Sequence, residues 1–489
     1  MEEIPLLRRF LALLIPLALL LCLPAVYALA EEDEPAFVAP TLPPNAIPYD
    51  KEHPELLDED MIYATSCILI EASTGEVIFE KNADMIMYPA STTKILTAYI
   101  ALQMGDLTGD VVTISQEAID LVPSGYQKIP LSAGEEVNLL DLISIMLIKS
   151  GNEAANAIAE YMCGSIPAFA DMMNDTAQML GCSQDTHFTN PTGLQEPTHY
   201  TTARDMAIIT RAAMQDPRFR DIVCRTTYEM PPTNKRPERT IIGNTPILNP
   251  ESTTYYYPDA VGVKTGFTND AGYCFVGAAK RGGVELISVV FYSGDTRRYL
   301  DTIKLFDYGF TQVEAISPES LYAEDPRIIE VTGFSMEDSN RGQLPLGIRA
   351  LDESKDMTII GRTEKINMLR ENFGQVSSIE WTRSFRAPIM VGEVMGILTF
   401  YAENGETAQY ELVATRTVEA RENAPLSLEE IEAYTLADEN PFPRFSWDLL
   451  VPPALMLLAI VMFVRFLLKH RKKRYKAPDI KPVKKKYLR

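Results

Sequence analysis

Tyr88-Pro89-Ala90-Ser91-Thr92-Thr93-Lys94 opens the stretch whose reading decides the fold. Ile95, Leu96, Ala98, Tyr99 and Leu102 follow at helical spacing, and Gly105 ends the run. The spacing predicts a helix over 91–105, with Ser91 in its first turn near the positive end of the helix dipole. Residues three apart on a helix share a face, with side chains about 5–6 Å apart, so Ser91 and Lys94 meet. A serine hydroxyl is a poor nucleophile until a base takes its proton. A lysine serves as that base only when burial or nearby positive charge keeps its amine neutral. The pair also reads as a capping serine beside a surface lysine, and alone it decides nothing.

Two further motifs change its weight. Ser150-Gly151-Asn152 falls between helical stretches at 138–149 and 153–162. A serine there can relay a proton between Lys94 and a leaving group, and the asparagine amide can hold a carbonyl or orient Lys94. The plain alternative is a helix N-cap. Lys264-Thr265-Gly266 ends an apolar, β-rich stretch at 260–265. Glycine lets an extended peptide lie along the strand. Lys264 and Thr265 then offer a cation and a hydroxyl to an anionic group, a terminal carboxylate being the natural one. The plain alternative is an ordinary turn.

Around these motifs the pattern is strand-like at 61–80, with Ser73-Thr74-Gly75 as the turn of a hairpin. Helical patterns follow at 167–180 and 202–215. Strands return at 260–265, 272–279 and 285–292, the last two joined by Arg281-Gly282-Gly283. A helix over 296–308 closes the region. Strands at both ends flanking a helical middle give an α+β fold, with one antiparallel sheet built from the two ends and helices around it. Over 316–420 the texture becomes short strands, at 328–331, 357–360, 387–391, 394–401 and 410–417, which predicts a small all-β domain. No internal repeats occur.

The ends carry addresses. Arg8 and Arg9, an apolar run and Ala28-x-Ala30 read as a signal peptide over 1–30. A linker rich in Pro, Glu and Ala occupies 31–55, and a second linker 421–447. Residues 448–468 are apolar for about 30 Å of helix, enough to span a bilayer. The basic tail at 469–489 then belongs in the cytoplasm by the positive-inside rule. The chain carries a net charge of -22 despite that tail, which argues against nucleic-acid binding. The mature part holds Cys67, Cys163, Cys182, Cys224 and Cys274, an odd number without C-x-x-C spacing, which reads as single buried thiols. With four histidines in all, no cluster has metal-ligand spacing.

The three motifs, in this order and separation, resemble those of the low-molecular-weight penicillin-binding proteins, the serine-type D-alanyl-D-alanine carboxypeptidases. Phe188-Thr189-Asn190-Pro191, Gly193-Leu194, His199-Tyr200-Thr201-Thr202-Ala203-Arg204-Asp205 and Ala271-Gly272-Tyr273 are similar to that family too. The resemblance covers about residues 60–315, within a catalytic domain at 56–315. The segment around Ala387-Pro388, Gly392 and Gly396 looks like the family's C-terminal domain.

The resemblance implies a β-lactamase/transpeptidase-like catalytic domain. It implies that Ser91 forms an acyl-enzyme, Lys94 is the base, Ser150 passes a proton to the departing D-alanine and Asn152 positions substrate. Lys264, Thr265, Gly266 and Arg298 would line the carboxylate site, with Arg297 beside Arg298 as a competing choice. The backbone amides of Ser91 and Phe267 would form the oxyanion hole. The implied partners are peptidoglycan stem peptides ending in D-Ala-D-Ala and β-lactam antibiotics as covalent inhibitors. No cofactor and no metal are implied. The implied place is the bacterial cell membrane, with the catalytic domain extracytoplasmic. A serine β-lactamase shares the acylation apparatus, but Tyr200 stands where a deacylating Glu-x-x-x-Asn pattern from Glu196 would need Asn. A non-catalytic cell-wall binder on the same fold is the other alternative.

Overall fold

Strand β1 (Ser66–Glu71) is buried at every position. Alternate residues of a strand point to opposite faces. Here Ile68 and Ile70 enter one apolar core, while Cys67 and Leu69 enter another. A strand apolar on both faces needs a layer on each side, and the fold supplies both. The computed structural model describes residues 49–243, 245–351, 357–403 and 405–422, with the isolated positions 462 and 465.

Strand β2 (Val77–Lys81) pairs with β1, and three strands from far along the chain complete the sheet: β3 (Ala260–Thr268), β4 (Gly272–Arg281) and β5 (Val284–Ser293). The order is β2-β1-β5-β4-β3, antiparallel throughout. The sheet is thus assembled from both ends of the domain, as the sequence pattern predicts. Gly282 and Gly283, at φ 56° and 87°, supply the two left-handed residues that a tight hairpin between β4 and β5 requires. Strand β3 lies at the sheet edge, so one side of it is unpaired within the sheet.

Helices form the first layer: α1 (Lys94–Met104), α2 (Leu139–Lys149), α3 (Asn152–Cys163), α4 (Ile166–Met179) and α5 (Ala203–Met214). Most of α1 is buried, which suits a helix apolar nearly all round. Helix α2 starts where Asn138 caps it, its side chain accepting from Leu140 N at 2.9 Å. On the other face lies α6 (Arg297–Gln312), burying Leu305 and Phe306. A Cβ on Gly309 would lie 2.7 Å from both Leu69 and Leu286 side chains, so glycine lets α6 approach the sheet.

The described residues divide between two compact units, one drawn from 1–318 with 357–372, the other from 319–356 with 373–489. In the second, an antiparallel five-stranded sheet runs in the order Ile328–Glu330, Gln343–Ala350, Thr407–Ala414, Val394–Tyr401, Ser377–Trp381. The expectation of strands alone over 316–420 is corrected. Helices Pro318–Glu324 and Thr363–Glu371 interrupt it, and strand Ile359–Arg362 pairs with Val313–Ile316 in the first unit. The expected strand at 387–391 reduces to one isolated pairing, Ile389 with Val418, because Pro388 has no N–H for a ladder.

The expected signal peptide, most of the first linker, the second linker from 423, the expected membrane span apart from positions 462 and 465, and the basic tail lie outside the described residues. Among the described residues no helix is long and apolar enough to cross a membrane. The five cysteines there are unpaired; Cys67 and Cys274 are buried, whereas Cys224 is exposed.

Phe306 is fully buried beneath the sheet, with Tyr257 5.6 Å away between ring centroids. Phe306→Ala is expected to destabilise the domain by about 3–5 kcal/mol in urea unfolding. A loss under about 1 kcal/mol would mean that α6 does not carry this half of the core.

Candidate active site

The nucleophile candidate sits on a strained turn. Residues Ala90–Thr93 form a 3-10 turn, and the α-helix proper begins at Lys94 rather than at Ser91 as the spacing predicted. Ala90 has φ 48°, the left-handed region that L residues avoid. Such a residue costs ~1–3 kcal/mol and persists where its surroundings over-determine it. They do so here. Thr92 Oγ1 donates to Pro89 O at 2.7 Å, and Thr93 Oγ1 donates to Ala90 O at 2.9 Å. Gly193 lies so close that a Cβ on it would fall 1.8 Å from Ala90 O. The quoted Gly193-Leu194 pair is therefore a packing requirement of the turn.

Lys94 is completely buried. Its Nζ lies 3.0 Å from Ser91 Oγ, 2.7 Å from Asn152 Oδ1 and 2.5 Å from Thr192 O. Asn152 Nδ2 donates to Gln127 O at 2.9 Å. That bond fixes the amide orientation, since a flipped amide would set two oxygens against each other. Burial first, then the charge of Lys264, pushes the Lys94 amine well below its ordinary value, with Glu153 acting the other way. A neutral amine has two hydrogens and one lone pair. Asn152 Oδ1 and Thr192 O can only accept, so they take both hydrogens. The lone pair is left for Ser91, the one partner with a proton to give. The arrangement can therefore deprotonate Ser91 for nucleophilic attack.

Glu153 is buried beside this group. Its Oε1 accepts from Ile129 N at 2.5 Å, Oε2 has no partner among the described residues, and burial raises its pKa. Ser150 closes α2 in a left-handed conformation at φ 64°. Its hydroxyl makes no hydrogen bond to Lys94 or Ser91 among the described residues.

Strand β3 brings the third motif to the turn. A Cβ on Gly266 would lie 3.0 Å from Pro89 O and 3.2 Å from Ser91 N. Glycine thus lets the strand edge meet the nucleophile's backbone. Lys264 is buried and donates to Thr265 O at 3.0 Å. Burial, then nearby Arg298, pushes its amine down to about 7. Arg298 Nη1 donates to Gly266 O at 3.3 Å, and its Nε is buried without a partner among the described residues. Arg297 instead lies over the Tyr63 ring at 4.0 Å. The structure thus separates the two neighbours: Arg298 joins the motif strand and Arg297 does not. Phe267 is exposed and stacks on Tyr273, with ring centroids 4.3 Å apart.

Sequence reasoning located the three motifs but missed the groups that hold them. The carbonyls of Thr192 and Gln127 carry no side-chain signature. Asn190 carries no catalytic signature in the sequence, yet its Oδ1 accepts from Thr192 N, Thr192 Oγ1, Gly193 N and Leu194 N. His199 is buried, with Nε2 2.9 Å from Thr93 Oγ1. Its motif was visible, but not its partner.

This arrangement, a serine with a buried lysine amine at the edge of an antiparallel sheet, is a site built for acyl transfer. The family model for D-alanyl-D-alanine carboxypeptidases matches residues 53–294. The chain is 35% identical over 274 residues to D-alanyl-D-alanine carboxypeptidase DacF of Bacillus subtilis, covering 55% of this chain and 67% of that protein. It is 32% identical to DacB2 of Mycobacterium tuberculosis, covering 53% of this chain and 84% of that one. Penicillin binding protein 5 from Haemophilus influenzae is a similar solved structure, at 26% identity and a TM-score of 0.48, covering 73% of this chain and 98% of that one. The chain belongs to the D-alanyl-D-alanine carboxypeptidase family.

One prediction follows from His199. Burial, then His187 and Lys94, pushes its imidazole down to about 3, from an unfolded value near 6.5. The folded value is the lower one, so the unfolded chain binds more protons between the two. The stability from keeping His199 neutral is complete above pH 6.5 and is lost as the pH falls towards 3, on the order of a few kcal/mol. Melting temperature should therefore fall more steeply with acidification in the native protein than in His199→Gln. Parallel curves would contradict this.

Proposed function

We propose that the chain is a serine-type D-alanyl-D-alanine carboxypeptidase, which removes the terminal D-alanine from peptidoglycan stem peptides through an acyl-enzyme on Ser91. The observation that carries this reading is the buried Lys94 amine, whose Nζ lies 3.0 Å from Ser91 Oγ, 2.7 Å from Asn152 Oδ1 and 2.5 Å from Thr192 O.

The Ser91 proton passes to Lys94 Nζ as Ser91 Oγ attacks the carbonyl carbon of the terminal peptide bond. The oxyanion is held by the N–H groups of Ser91 and Phe267, each donor worth about 3–4 kcal/mol in comparable sites. As the C–N bond breaks, the departing amine takes the proton from Lys94 by way of Ser150. D-alanine leaves and an ester remains on Ser91. Water then gives a proton to Lys94 and attacks the ester; Lys94 returns that proton to Ser91 Oγ as the ester C–O bond breaks, which releases the shortened peptide and restores Ser91 and the neutral amine. Asn152 positions the substrate backbone. Lys264, Thr265 and Arg298 bind the terminal carboxylate, and the unpartnered Arg298 Nε suits that anion. A β-lactam would acylate Ser91 in the same way.

The apolar and basic runs at the two ends support a place at the outer face of the bacterial membrane. The C-terminal helix would be the anchor, with the basic tail in the cytoplasm. The β-rich region near 316–420 would lift the site towards the wall.

Ser91→Ala should cut D-alanine release from a pentapeptide ending in D-Ala-D-Ala by about 10⁴-fold or more. It should also abolish covalent labelling by a fluorescent penicillin. Retained release by this variant would remove Ser91 from the mechanism.

The Lys264 charge should appear in the pH profile. The free-enzyme cation is lost as the pH rises through about 7, so the KM for the peptide should climb above that pH. Lys264→Arg keeps its charge and should lose this alkaline dependence. An unchanged alkaline limb in Lys264→Arg would assign it to another group.

A further inference from the structure

Behind the nucleophile runs a chain of buried hydrogen bonds whose direction is fixed at its far end. Thr189 N, which can only donate, lies 3.1 Å from His199 Nδ1. That nitrogen therefore carries the lone pair, and the hydrogen of the neutral ring is on Nε2. Nε2 faces Thr93 Oγ1 at 2.9 Å, so the imidazole donates and the hydroxyl accepts. The hydroxyl's own hydrogen is then free for Ala90 O at 2.9 Å. His199 and Thr93 are both buried, so water does not compete. Burial pushes the ring's pKa down to about 3, which favours the neutral imidazole near neutral pH.

The end of this chain matters because Ala90 C=O and Ser91 N–H belong to one peptide unit. A trans peptide plane sets its N–H opposite its C=O. Holding Ala90 O therefore aims Ser91 N–H, on the side where the Gly266 Cα closes in. Ala90 is in the left-handed region. Without a donor on its carbonyl, that peptide loses one of the contacts that hold it in this region, which loosens the aim of the N–H and of the Ser91 side chain. A bond to the carbonyl oxygen also polarises the N–H of the same unit.

We propose that Thr93 and His199 are positioning residues for the nucleophile, a directed relay from Thr189 N–H through His199 and Thr93 to Ala90 O that aims the Ser91 N–H at the developing oxyanion. The inference rests on the reading of Ser91 as nucleophile and deepens it. Neither side chain touches the substrate. Their effect belongs to the transition state, where charge gathers at the oxyanion, and not to ground-state binding.

Thr93→Val keeps the branched shape and removes the hydroxyl; Thr93→Ser keeps the hydroxyl and removes the methyl. The test measures the acylation rate constant with a fluorescent penicillin, kcat and KM for D-alanine release, and the melting temperature. Thr93→Val is expected to lower the acylation rate constant and kcat at least tenfold, with KM within about threefold of the native value. Thr93→Ser should recover the rate to within about threefold. Two results would overturn the relay: native acylation by Thr93→Val, or a Thr93→Ser as slow as Thr93→Val, which would make packing and not the hydroxyl the cause. A Thr93→Val that fails to fold leaves His199→Gln and Thr93→Ser to decide. A slow His199→Gln with native KM supports the relay, and a native rate in His199→Gln contradicts it. Native protein that fails to acylate at all refutes the Ser91 reading, an outcome separate from these.

Discussion

The site depends on the burial of one amine. Lys94 is wholly enclosed, and a buried ammonium is expensive unless its charge is met. The structure does not meet it with a carboxylate in contact. It offers an amide oxygen, a peptide carbonyl and a hydroxyl. Burial pushes the amine well below its ordinary value, and an amine that gives up its proton beside a serine can act as a base. The Ala90–Thr93 turn, the start of α3 at Asn152 and the Thr192 loop each contribute one contact to Lys94, so packing around these segments sets the chemistry. Glu153 and Lys264 pull the Lys94 amine in opposite directions, and burial decides the sign.

Close approach is the second constraint. The turn at Ala90 is strained, and two glycines allow other backbone to press against it. Gly193 faces its carbonyl, and Gly266 brings the edge strand to Ser91 N. Both positions would fill with a Cβ in any other residue. The edge position of β3 leaves one side of that strand unpaired within the sheet, and Lys264 and Arg298 lie close together beside it. Sheet topology thus does work that no single motif could do: it joins segments some 170 residues apart in the chain into one crevice, Ser91 on one side and Lys264 on the other.

The fold of the first unit was largely legible in sequence, because its strands are apolar runs bounded by Gly-rich turns and its helices are long and periodic. The motif residues were legible because their chemistry lives in side chains. What was hidden lay in the backbone. Nothing in the letters Ala90 reports a left-handed angle, and nothing in Thr192 or Gln127 reports that a carbonyl holds Lys94 or Asn152. Arg297 and Arg298 were indistinguishable until α6 pointed them to different rings. In the C-terminal region, short strands with mixed polarity concealed the helices Pro318–Glu324 and Thr363–Glu371, and the return of 357–372 to the first unit is a tertiary choice with no local signature.

The central claim is that Lys94 is neutral and holds a lone pair for Ser91. Its titration can be followed directly by NMR of the lysine side-chain nitrogens in isotope-labelled protein, with Lys94→Arg to assign the signal. The account predicts a midpoint well below the ordinary lysine value of 10.5. A Lys94 signal that titrates at or above that value would mean the amine is charged beside Ser91, and the lysine could not be the base.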